Sequence, residues 1–66
     1  MSAIYEAKVK VERIIRERRL NEADTKGKLS LKAGVLLAFI RPDSPDDPER
    51  LAKLRLAARE VLQVDL

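Results

Sequence analysis

Val35-Leu36-Leu37-Ala38-Phe39-Ile40 is an unbroken apolar run between Gly34 and the breaker segment Arg41-Pro42-Asp43-Ser44-Pro45. Water cannot surround all six side chains without a large free-energy cost, so whatever covers them defines the fold. The cover is either the rest of this short chain or another copy of it.

With 66 residues, the chain is expected to form a single domain over 1–66. A domain of this size buries only about 60% of the surface its unfolded chain exposes. Small scaffolds commonly add a disulfide, a metal or a partner subunit. The sequence has neither Cys nor His, which removes disulfides, Cys/His zinc sites, thiol chemistry and the commonest general base. Oligomerisation is the staple that remains, because it needs only apolar surface. The lack of Cys fits a cytoplasmic setting. The start, Ser2-Ala3-Ile4-Tyr5-Glu6 after Met1, has no basic stretch followed by a long apolar core, so no signal peptide is expected. The longest apolar run is six residues, against about 20 needed to cross a bilayer, so no membrane partner is expected.

Ala3 to Leu20 holds neither Gly nor Pro, and Ile4, Ala7, Val11, Ile14, Ile15 and Arg18 share one stripe at helical spacing. Glu6–Lys10 and Glu12–Arg16 are acidic-to-basic pairs four residues apart in the favoured order. Ala7, Val9 and Val11 alternate with Lys8, Lys10 and Glu12 as a strand would, but the helix matches more positions. Asn21 to Lys28 reads as a polar connection, with a helix restarting at Asp24 as an alternative. Leu29 to Ile40 is ambiguous. As a helix it is apolar nearly all round, with Leu29, Ala33, Leu36, Leu37 and Ile40 on one face and Leu31, Val35 and Phe39 on another. As a hairpin it would turn at Lys32-Ala33-Gly34, and Val35–Ile40 would be a buried strand. No other strand partner is evident, and an isolated hairpin is marginal. The segment is therefore read as a helix. Pro42 and Pro45 make 41–47 a connection. Ser44 then reads as an N-cap with Pro45 at the first helical position, and Asp47-Pro48-Glu49 is a second start one turn later. Leu51, Leu54, Ala58, Val61 and Leu62 complete an amphipathic stripe.

The expected fold is all-α: a small three-helix domain with helices near 3–20, 28–41 and 45–63, packed as a homodimer or higher oligomer. The alternative is α+β, with a hairpin at 28–41 packed on the C-terminal helix. Two flanking stripes cover most of the middle helix but leave Leu31, Val35 or Phe39 partly bare. Together with Leu56, these form the expected self-association surface.

Residues 1–32 hold nine Lys/Arg and five Asp/Glu, an excess of +4, whereas 33–66 hold five and six, an excess of −1. Lys8, Arg13, Arg16, Arg19, Lys26 and Lys28 are therefore the candidate phosphate contacts. Aromatic platforms for bases are limited to Tyr5 and Phe39, and Glu6, Glu12 and Glu17 dilute the field. A solvated helix face laced with ion pairs is the favoured reading of that cluster. Asp43, Asp46, Asp47 and Glu49 lack calcium-loop spacing and fit helix capping better. Lys26-Gly27-Lys28 lacks the spacing of a phosphate loop, and Ser30 and Ser44 have no His to activate them. No catalytic, cofactor or metal residue is nominated. Two functions follow as expectations: a non-enzymatic protein-interaction module acting through helix–helix contacts with itself or a protein partner, or a nucleic-acid-binding regulator using the basic face of the first helix.

Overall fold

In the computed structural model, residues 2–66 are described; Met1, the first residue of the expected domain, lies outside them. Three α-helices and one short 3₁₀ turn follow each other: α1 Ala3–Glu17, α2 Glu22–Ala33, the turn Leu37–Phe39, and α3 Pro48–Val61. There is no strand among the described residues, so the fold is the all-α three-helix one and the hairpin at 28–41 is ruled out.

α1 forms where its stripe predicts, and its strand-like alternation is overridden. Ser2 caps its start by accepting the Tyr5 N–H, and Ile4, Ala7, Val11 and Ile15 are buried. Its end is a Schellman motif. The Leu20 N–H bonds the Ile15 carbonyl, the Arg19 N–H bonds that of Arg16, and Arg19 takes a left-handed φ of 55°.

The middle helix differs most from expectation. It spans 22–33, not 28–41. Asn21 is its N-cap, accepting the Asp24 N–H at 2.8 Å, so the expected polar connection is mostly helix. Gly34 ends it in the left-handed region at φ 71°, where a residue with a Cβ is strained. The apolar run therefore lies beyond the helix, in neither of the two forms expected for it.

α3 starts one turn later than the Ser44 cap implies. Asp47 accepts the Arg50 N–H, and Pro48 holds the first helical position, where its missing N–H costs nothing. Ser44 instead closes the turn before it: its hydroxyl accepts the Arg41 N–H at 2.8 Å, and its own N–H bonds the Arg41 carbonyl. Leu54, Ala57, Ala58 and Leu62 are buried against Leu29 and Ala33 of α2 and the α1 stripe. Small residues at 33, 57 and 58 allow α2 and α3 to lie close, as their contacts show.

Candidate interaction surface

The 3₁₀ turn sorts the apolar run into an inner and an outer pair. A 3₁₀ helix has three residues per turn, so side chains three apart lie on the same face. Phe39 N–H bonds the Leu36 carbonyl and Ile40 N–H bonds that of Leu37, both at about 3 Å. Leu37 and Ile40 consequently enter the core, while Leu36 and Phe39 point outward, 55% and 69% exposed. Two polar ties hold the turn in that orientation. The buried Ser30 hydroxyl accepts the Leu37 N–H at 3.2 Å, and Lys8 Nζ donates to the Ile40 carbonyl at 2.8 Å.

The outer pair joins the last turn of α2. Leu31 stands 85% exposed and lines a shallow groove with Gly27, Ser30, Gly34, Val35 and Leu36. Val35 is half-buried against the core and also borders a second groove with Phe39, Ser44, Pro45 and Asp47. Leu31 and Leu36 thus line one groove and Phe39 the other, with Val35 bordering both. Of the expected self-association residues, Leu31, Val35 and Phe39 are brought together. Leu56, 57% exposed, lines a separate groove on α3 with Arg55, Arg59, Asp65 and Leu66. Leu36 was assigned to the inner face on a helical period; the three-residue period of the turn is what exposes it.

Some of the basic residues hold the helices together, and others pair only within their own helix. Lys26 pairs with Glu12 at 2.8 Å, tying α2 to α1 in a partly buried position. Glu12 therefore does not pair with Arg16 as its spacing suggested. Lys8 is occupied at Ile40, Lys28 lies 3.4 Å from Asp24, and Arg13 lies 3.7 Å from Glu17. Among the described residues, Arg16 and Arg19 alone of the six candidate phosphate contacts have no ion pair or side-chain hydrogen bond. Two further ties use neighbouring cations: Lys32 pairs with Glu60 of α3 at 2.9 Å, and Arg18 Nη1 donates to the Leu62 carbonyl at 2.6 Å. Arg18 thereby satisfies a carbonyl at the end of α3 and places positive charge where the helix dipole favours it. Arg18 belongs to the α1 stripe in spacing but reaches past the core to do so.

The acidic cluster caps helices. Asp47 caps α3, and Glu49 lies 3.8 Å from Lys53 in its first turn. Asp46 accepts the Ala3 N–H at 2.8 Å, capping α1 from the far side of the chain. Among the described residues no group of three or more acidic side chains is placed to hold a metal ion. Every buried side-chain nitrogen or oxygen among them has a partner, so no buried polar group is left over for a ligand to satisfy. The chemistry the surface offers is apolar contact bordered by exposed charges of both signs. No protein-family model matches this chain, and neither a curated protein nor a solved structure matches it.

Proposed function

We propose that residues 1–66 form a single non-enzymatic protein-interaction module, a small regulatory or adaptor unit whose working surface is Leu31, Val35, Leu36 and Phe39. The observation that carries this reading is the exposure of Leu31 on the last turn of α2 together with Leu36 and Phe39, which the ordered 3₁₀ turn holds outward. Contiguous apolar patches on a monomer mark interaction sites, whereas single exposed apolar residues do not. A chain without Cys works unchanged in a reducing compartment, so the cytoplasm is the proposed setting.

The nucleic-acid reading has less support, because four of its six nominated contacts are engaged within the chain. Charge in such intramolecular pairs contributes little net field for phosphates. The two readings separate in a direct test. A benzophenone-bearing residue placed at 31, 36 or 39 in living cells is expected to crosslink to protein on irradiation, and one placed at the exposed position 17 is not. Absence of protein crosslinks from all three positions would overturn the reading. A mobility shift on DNA or RNA at about 50 mM salt that disappears in Arg16→Ala/Arg19→Ala would favour nucleic acid in its place.

A further inference from the structure

We draw no further inference here: the strongest candidate, the pair of apolar grooves that Leu31, Leu36 and Phe39 line on either side of Val35, belongs to the surface already described, and nothing in the structure shows what covers it.

Discussion

α1 and the run Val35–Ile40 are both rich in apolar side chains, yet one is covered by its own chain and the other only in part. In α1 the apolar residues recur at 3.6-residue spacing, so a single stripe enters the core and Val11 and Ile15 are fully enclosed. In the run every position is apolar, so no backbone geometry can turn all of them inward. The 3₁₀ turn divides it, Leu37 and Ile40 against the helices, Leu36 and Phe39 against solvent. Apolar content alone therefore does not place a residue; its period relative to the local backbone does.

The sharpest way to break this comparison is to truncate one residue from each region. Ile15→Ala opens a cavity in a closed site and is expected to destabilise the fold by about 2–5 kcal/mol. Leu36→Ala removes side chain already in water and is expected to change the stability of dilute protein by less than about 0.5 kcal/mol. Urea unfolding at low chain concentration reads both. Comparable losses for the two would show that the outward orientation of Leu36 is wrong.

The next largest effect concerns the tie that orients the turn. Ser30→Ala leaves the buried Leu37 N–H without an acceptor, at an expected cost of about 1–3 kcal/mol. The loss is expected to appear in hydrogen exchange as faster exchange at Leu37 than at Val11. Uniform acceleration across both would mean that Ser30 supports the whole fold and not the turn in particular.

A smaller, signed contrast lies at the helix ends. Gly34 and Arg19 both hold left-handed backbone, at φ 71° and 55°. Gly34→Ala is expected to destabilise by about 1–2 kcal/mol, whereas Arg19→Gly is expected to stabilise by up to about 1 kcal/mol. Thermal melting of the two variants checks the signs. If both destabilise, Arg19 makes a contribution beyond its backbone.

α1 and α3 were legible because each carries a stripe matched to the helical period. The start of α3 lay within the sequence signals, since Asp47-Pro48 satisfies the same capping rule as Ser44-Pro45. Two bonds separate them: a tertiary one, from the Ala3 N–H to Asp46, and a local one, by which Ser44 closes the turn at Arg41. α2 was hard to see because its first half is polar, with Thr25 and Gly27 weakening the local preference for helix. The apolar run then drew the helix past Gly34, although Lys32 in the last turn followed by a glycine is a recognised stop. Leu31 and Phe39 were expected to be partly bare even so, because two stripes cannot cover a third element on all sides, and both are more exposed than that. Leu36 was missed through use of the wrong period. Arg18 and Asp46 act across more than 40 residues of sequence, on Leu62 and Ala3, and no local pattern announces such ties.

The central claim, that the outer half of the run serves association and not the core, is tested most directly by crosslinking from position 36 in Phe39→Glu. Charging a side chain already in water changes the stability of the fold by less than about 0.5 kcal/mol, so the variant is expected to melt at the wild-type temperature. It is expected to lose the protein crosslinks that position 36 forms in the wild-type chain. A Phe39→Glu variant that keeps those crosslinks, or that melts well below wild type even at high dilution, would contradict the account.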